Sequence, residues 1–288
     1  MATLALDHVN YCYAKGTPYE KEALRDICCS FKSGELVGII GQTGSGKSTL
    51  AQMFNGLLRP ESGTVLLDGV DIWQQPKKMR DVRFRIGIVF QYPEYQLFEE
   101  TVYKDIAFGP TNMGLSPQEI QQRVLAAAQF AGVSSNFLQR SPFELSGGEK
   151  RRVAVAGVMA MDPEILILDE PAAGLDPRGR NEVLGGIAAY QKQTGKTVIM
   201  ISHSMEDMAN YAQRMIVLQD GCICASGSRS EIFSDVERLH TLGLSVPQAT
   251  RLMLALAARG IPVRTDIYTP ADAVQEILRL FSAKEVHS

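Results

Sequence analysis

Gly41-Gln42-Thr43-Gly44-Ser45-Gly46-Lys47-Ser48 follows a short apolar run, Leu36-Val37-Gly38-Ile39-Ile40. A run of that length without polar alternation is the pattern of a parallel strand buried on both faces. The glycines at 41, 44 and 46 let the backbone pass close to a ligand. The helix opened by Ser48-Thr49-Leu50-Ala51-Gln52-Met53-Phe54 points its positive end at an anion. The octapeptide is a P-loop, with backbone N–H groups of residues 41–48 around a phosphate chain. Lys47 is placed for the β- and γ-phosphates, Ser48 for Mg²⁺, and Thr49 for a further phosphate contact. The implied ligands are ATP and Mg²⁺.

A second stretch, Leu145-Ser146-Gly147-Gly148-Glu149, lies just ahead of Ile165-Leu166-Ile167-Leu168-Asp169-Glu170, an apolar strand that ends in two carboxylates. Two charges at the end of a buried strand are costly without a task. Asp169 is suited to hold Mg²⁺, and Glu170 to orient and polarise an attacking water. Ser202-His203 closes the next apolar strand, 197–201, and ligands of open α/β sheets sit at the carboxyl ends of strands. His203 is therefore expected at the same site. Gln91 follows the strand Ile86-Gly87-Ile88-Val89-Phe90, where its amide can reach Mg²⁺ or the water. Ser146-Gly147-Gly148-Glu149 is a capping box, but a cap alone does not require two adjacent glycines. Exposed N–H groups there form a second anion cradle. One chain already carries a cradle at 41–48, so Ser146 and Gly148 are expected to face ATP held by another chain. Tyr11 and Tyr13 point the same way in a regular strand. Either can pack in the core, and Tyr13 is the preferred face for stacking on adenine.

The rest of the chain fits an α/β protein with additions. Its 288 residues are 45% hydrophobic and 21% charged, with a formal net charge of −3 and an isoelectric point near 5.9. No basic excess points to nucleic acid. The first residues lack a basic stretch before an apolar core, so no secretory signal is expected, and no apolar run approaches the ~20 residues of a spanning helix. The five cysteines, an odd number without a CxxC pair, are expected as buried reduced thiols. Residues 92–161 read as a helical insertion, in which Ser116-Pro117-Gln118-Glu119 caps one helix. Strands at 165–168 and 197–201, with a helix at 179–191 between them, give a βαβ rhythm. Asp220-Gly221 turns a hairpin between 215–218 and 222–225. The tail from 231 reads as two helices, one over 247–258 and one after Thr269-Pro270 with Val274, Ile277, Leu278 and Phe281 on one face. It serves either as a cap on the core or as a subunit contact.

In this order the motifs resemble an ATP-binding cassette (ABC) ATPase. That is an α/β P-loop NTPase fold over roughly residues 1–230, with a helical subdomain at about 92–161 and a small C-terminal helical appendage at 231–288. The resemblance implies a tyrosine near position 13 on the base, Gln91 as the Q-loop residue and residues 145–149 as the signature. Gly174-Leu175-Asp176 would be the D-loop and His203 the switch histidine. A narrower likeness lies in Phe90-Gln91-Tyr92-Pro93-Glu94-Tyr95-Gln96-Leu97-Phe98, Thr101-Val102 and Asp105-Ile106-Ala107-Phe108-Gly109-Pro110. It resembles the ATPases of energy-coupling factor transporters, in the form carried by the second of their two paralogues. That family imports vitamins and metal ions, and pairs two ATPases with a membrane coupling protein and a substrate-binding membrane protein. The implied location is the cytoplasmic face of the cell membrane, as a peripheral subunit. Tyr95, Leu97 and Phe98, edged by Glu94, Glu99 and Glu100, are expected either to receive an arginine-bearing helix of the coupling protein or simply to pack the helical subdomain. The ATPase of another ABC importer or exporter is the alternative.

Overall fold

The computed structural model describes residues 2–285. The chain starts with β1 (Leu4–Tyr13) and β2 (Lys21–Phe31), then β3 (Leu36–Ile40), α1 (Lys47–Phe54), β4 (Ser62–Leu67) and β5 (Val70–Asp71). Next come α2 (Met79–Arg85) and β6 (Ile86–Val89), followed by the helical stretch α3 (Val102–Asn112), α4 (Pro117–Phe130) and α5 (Gly147–Met159). The α/β alternation resumes with β7 (Ile165–Asp169), α6 (Pro177–Thr194), β8 (Thr197–Ile201), α7 (Met205–Tyr211) and β9 (Arg214–Gln219). The chain continues through β10 (Cys222–Ser228), α8 (Arg229–Ser234), α9 (Val236–Thr241), α10 (Gln248–Ala258) and α11 (Pro270–Glu285).

The six-stranded sheet has the order β10-β9-β3-β8-β7-β6, and an antiparallel sheet has the order β2-β1-β4-β5. In the larger sheet β3 pairs in parallel with both β8 and β9, and β6, β7 and β8 are parallel neighbours. Every residue of β3, β7 and β8 is buried, which is why these segments read as unbroken apolar runs. Helix α1 and the antiparallel sheet cover one face of the larger sheet, where Phe31 and Phe54 meet edge to face with ring centroids 5.0 Å apart. The helical stretch and α6 cover the other.

Both capping boxes read from the sequence are formed, at Ser116 with Glu119 and at Ser146 with Glu149. The tail divides by packing. Phe233, Leu239, Val246 and Tyr268 join the main core, while Ala249, Met253, Ile267 and Ala273 make a small cluster of their own. Along α11 the expected single apolar face splits: Ile277 packs on that small cluster, whereas Val274 and Phe281 are exposed. The cysteines also depart from expectation. All five are free, but Cys28 is exposed and the other four are only half-buried: Cys28, Cys29, Cys222 and Cys224 lie on β2 and β10, the edge strands of their sheets, and Cys12 lies next to the last residue of β1. Among the described residues, no helix is long and apolar enough to cross a membrane.

Candidate functional site

Four segments converge at the carboxyl ends of β3, β6, β7 and β8. The loop after β3 carries the P-loop, in which Gly44 and Gly46 have φ of +83° and +103°, a region open to glycine at little cost. A β-carbon at 46 would meet the carbonyl of Ala23 at 2.5 Å, whereas one at 44 would meet nothing within 4 Å. The loop is thus wedged from behind and open in front. One cleft is lined by Thr43, Gly44, Gly46, Lys47, Ser48, Thr49, Gln91, Asp169, Glu170, His203 and Tyr13. Lys21 and Ala23 complete its wall from β2; nothing in their residue types marked them beforehand, since only strand pairing brings them there. Gly41, Gln42 and Ser45 lie outside the lining. They shape the loop through the carbonyls of Gly41 and Gln42, and through the Ser45 N–H that donates to the Gln42 carbonyl at 3.1 Å.

Lys47 extends its ammonium to those two carbonyls, at 2.8 and 2.7 Å. Burial pushes its pKa down, opposed by Glu170 and Asp169 nearby. Asp169 is only 4% exposed, and burial pushes its carboxyl pKa up against the favourable Ser48 hydroxyl. A buried carboxylate with too little positive charge beside it, next to a serine hydroxyl, is a hard-oxygen donor pair that fits Mg²⁺.

Strand register explains how Glu170 and His203 meet. Asp169 of β7 stands opposite Ile201 of β8, so the residues that follow emerge side by side. Glu170 adopts φ +52°, a backbone state that clusters at functional sites. Its N–H donates to the Ile201 carbonyl at 2.9 Å. One carboxylate oxygen accepts the His203 N–H at 3.0 Å and lies 2.8 Å from His203 Nδ1. Ser202 Oγ is 3.4 Å from the other oxygen.

The two tyrosines stay neighbours across an irregularity in the strand pairing. Pairing of β1 with β2 shifts register between Tyr11 and Cys12. Tyr11 packs on the core, and Tyr13 reaches the cleft with its hydroxyl 3.2 Å from Thr49 Oγ1. The rings touch edge to face at 4.9 Å.

Ser146 and Gly148 line a different cleft, together with Gly174, Leu175 and Asp176, which shares no lining residue with the first. The Ser146 side chain and N–H both bond Glu149, at 2.7 Å each, and hold its carboxyl below the usual range. Within one chain the two cradles face different spaces.

A family model described as ABC transporter matches residues 24–173. The chain belongs to that family. Within it, the cassette is 48% identical over 283 residues to the energy-coupling factor transporter ATP-binding protein EcfA2 of Clostridium tetani, covering 98% of each chain. It is 50% identical over 276 residues to the protein of the same name in Caldanaerobacter subterraneus subsp. tengcongensis, covering 96% of each. Among solved structures, it resembles cbiO1 of Clostridium perfringens, described as part of the ABC transporter complex cbiONQ, with a TM-score of 0.74 and 39% identity over 87% of this chain and 98% of that one. It also resembles the cassette MJ0796, solved as a dimer in a post-hydrolysis state with ADP and Pi. That match has a TM-score of 0.70 and 27% identity over 78% of this chain and 98% of the other. The cassette is an ATPase of the energy-coupling factor transporter type, and its likeness to proteins named EcfA2 agrees with the paralogue read from Tyr92-Pro93-Glu94-Tyr95.

Two residues of consequence escaped the sequence reading. Asp105 sits on the floor of an apolar groove between α3 and α5, with Leu97, Phe98, Phe108, Val153 and Val158 around it. Its Oδ1 accepts the N–H groups of Phe98 and Glu99 at 3.2 and 3.3 Å, while Oδ2 is buried with no protein partner. Burial raises its pKa, opposed by those two N–H groups. Arg151, 3% exposed, binds Glu94. Glu94 is therefore engaged inside the chain and is not the free charge at the groove edge that its position in sequence implied.

Proposed function

We propose that this chain works as one half of an unlike ATPase pair at the cytoplasmic face of the cell membrane, driving uptake of a vitamin or metal ion through a membrane coupling protein and its substrate-binding partner. The observation that carries the reading is the separation of the two cradles: the P-loop, Asp169, Glu170 and His203 share one cleft, while Ser146 and Gly148 open another.

In this reading Thr43, Gly44, Gly46 and Thr49 hold the phosphates of ATP, and Tyr13 stacks on the base. Lys47 exchanges its two carbonyl partners for phosphate oxygens. Ser48 and Asp169, with the Gln91 amide, hold Mg²⁺, which when bound neutralises charge developing on the phosphates. Glu170 takes the proton of the attacking water, and His203, already hydrogen-bonded to it, fixes its direction. Ser146 and Gly148 close over the ATP of the paralogue. The groove over Asp105 receives an amphipathic helix of the coupling protein, whose arginine satisfies the unpartnered Oδ2.

Nucleotide titration of the isolated chain tests the division of labour. Lys47→Ala weakens ATP binding at least about tenfold, because a charge-assisted contact is lost. Ser146→Arg leaves that binding intact and blocks hydrolysis once the paralogue is added. Equal loss of binding in the two variants would overturn the separate-cradle reading.

A further inference from the structure

Far from the nucleotide cleft, β1 and β2 pair with a register break between Leu6 and Val9. At the break His8 and Asp26 both adopt φ of +50°, which non-glycine residues occupy rarely and at some cost. The distortion brings four side chains together. His8 Nδ1 lies 2.6 Å from Asp26 Oδ1, and His8 Nε2 lies 3.8 Å from Asp7 Oδ1. Cys28 Sγ accepts the backbone N–H of His8 at 3.2 Å. One donor atom from each of Asp7, His8 and Cys28 lies within 4.8 Å of the other two. Among the described residues this is the one group of histidine, cysteine and carboxylate donors packed so closely. None of the four residues lines the nucleotide cleft.

We propose that Asp7, His8 and Cys28 form a binding site for a single divalent ion of the zinc class, with Asp26 as its positioning residue. A thiolate, an imidazole and a carboxylate make a mixed sulfur, nitrogen and oxygen set that suits zinc and its neighbours in the first transition row. Magnesium and calcium ask for oxygen alone. The direction of the His8 ring supports the assignment. When Nδ1 carries the ring proton it donates to Asp26, and the Nε2 lone pair then faces Asp7. This is the carboxylate–histidine–metal arrangement in which an outer carboxylate fixes the tautomer of a ligand. Bonds of about 2.0–2.3 Å to each donor require the three atoms to draw in by roughly an ångström. The side chains of Asp7 and His8 are 65% and 70% exposed, so rotation about their own bonds suffices. On binding, the Cys28 thiol gives its proton to water, and water fills the fourth position. The competing description is an exposed His8–Asp26 pair that only pins the bulge.

Cobalt titration of the full chain, stripped with a chelator and kept free of nucleotide and Mg²⁺, separates the two. The expected result is one equivalent of Co²⁺ with a thiolate-to-cobalt charge-transfer band, displaced by Zn²⁺. Cys28→Ser removes the band, whereas Cys222→Ser retains it. Asp26→Asn leaves the ligand set complete and weakens affinity about 10–100-fold. His8→Ala weakens it at least as much. Unchanged ATP binding in each variant shows that the fold survives. A wild-type chain without the stoichiometric band would overturn the proposal, as would a band that persists in Cys28→Ser.

Discussion

Arg151 and Glu94 form a two-point ion pair, with Nε and one terminal nitrogen of Arg151 at 3.1 and 3.0 Å from the two oxygens of Glu94. The remaining terminal nitrogen of Arg151 donates to the carbonyl of Ala173, and its guanidinium lies 5.8 Å from the centre of the Tyr92 ring. One side chain on α5, three residues after Gly148 of the signature, thereby ties the segment after Gln91 to the segment before Gly174. In the function proposed above, these segments lie between the chain's own ATP, its partner's ATP and the membrane.

Breaking that pair from the Glu94 side leaves a guanidinium in a site where it is almost wholly buried. Removing one partner of a buried pair typically costs about 3–5 kcal/mol; the 17% exposure of the Glu94 side chain moves the expectation to about 2–4 kcal/mol. Urea unfolding of Glu94→Gln measures it. Tyr95→Ala is the contrasting change, because Tyr95 is 85% exposed: stability stays within about 0.5 kcal/mol while assembly with the coupling protein weakens. A Glu94→Gln chain as stable as the parent would show that the pair is screened in solution.

The hydrogen bond between Glu170 and His203 leads to a graded expectation for turnover. Glu170→Gln keeps the shape and removes the base, so hydrolysis by the assembled pair falls at least about 10²-fold with ATP binding retained. His203→Ala leaves the base but frees its direction. Its loss of rate is accompanied by little change in the apparent Michaelis constant, as for an interaction made only in the transition state. Steady-state hydrolysis of both variants with the paralogue present decides the matter. An undiminished rate in Glu170→Gln removes it from the role of base.

Asp105 links stability to pH in a defined direction. Burial raises its folded pKa above the ordinary carboxylate value. Between those two values the folded state holds a proton that the unfolded state has lost, so stability falls as pH rises through the window and is level above it. Asp105→Asn lacks this dependence. Relative to the parent it is therefore expected to gain stability as pH rises above the ordinary carboxylate value of about 4, while losing affinity for the coupling protein. Paired urea titrations across that window test the first half, and co-purification with the coupling protein tests the second. A parallel pH profile in the two proteins would count against a perturbed Asp105.

What the sequence revealed and what it hid follow a physical division. The P-loop, the capping boxes at Ser116 and Ser146, the Asp220-Gly221 turn and the Asp169-Glu170 strand end are written in neighbouring residues, whose spacing determines their geometry. His203 was legible one step further out, because parallel strands bring their carboxyl ends to one place. The partners of Arg151 are 57 and 22 residues away, and no local pattern encodes such a meeting. The packing of Tyr11 on the core beside Tyr13 in the cleft, the exposure of Cys28 and the burial of Asp105 are likewise products of packing between elements, beyond the reach of periodicity.

One such meeting joins the tail to the phosphate site. The side chain of Gln42 lies against Gly243, which follows α9 with φ of +65°, so closely that a β-carbon at 243 would stand 1.7 Å from Gln42 Nε2. Gly243→Ala therefore adds two costs, a left-handed backbone for a residue with a side chain, about 1–2 kcal/mol, and displacement of Gln42. The second cost is absent when Gln42→Ala is made first, so a double-mutant cycle isolates it. Gln42 is exposed and meets residue 243 only through its side chain, so the amide can rotate away without moving the Gln42 carbonyl that holds Lys47. Gly243→Ala is therefore expected to lower stability by about 1–2 kcal/mol and to leave ATP binding unchanged, with a coupling to Gln42→Ala within about 0.5 kcal/mol. Urea midpoints and nucleotide titration of the four proteins complete the cycle. Weakened ATP binding in the single Gly243→Ala protein would show that displacement at residue 243 reaches the P-loop through Gln42.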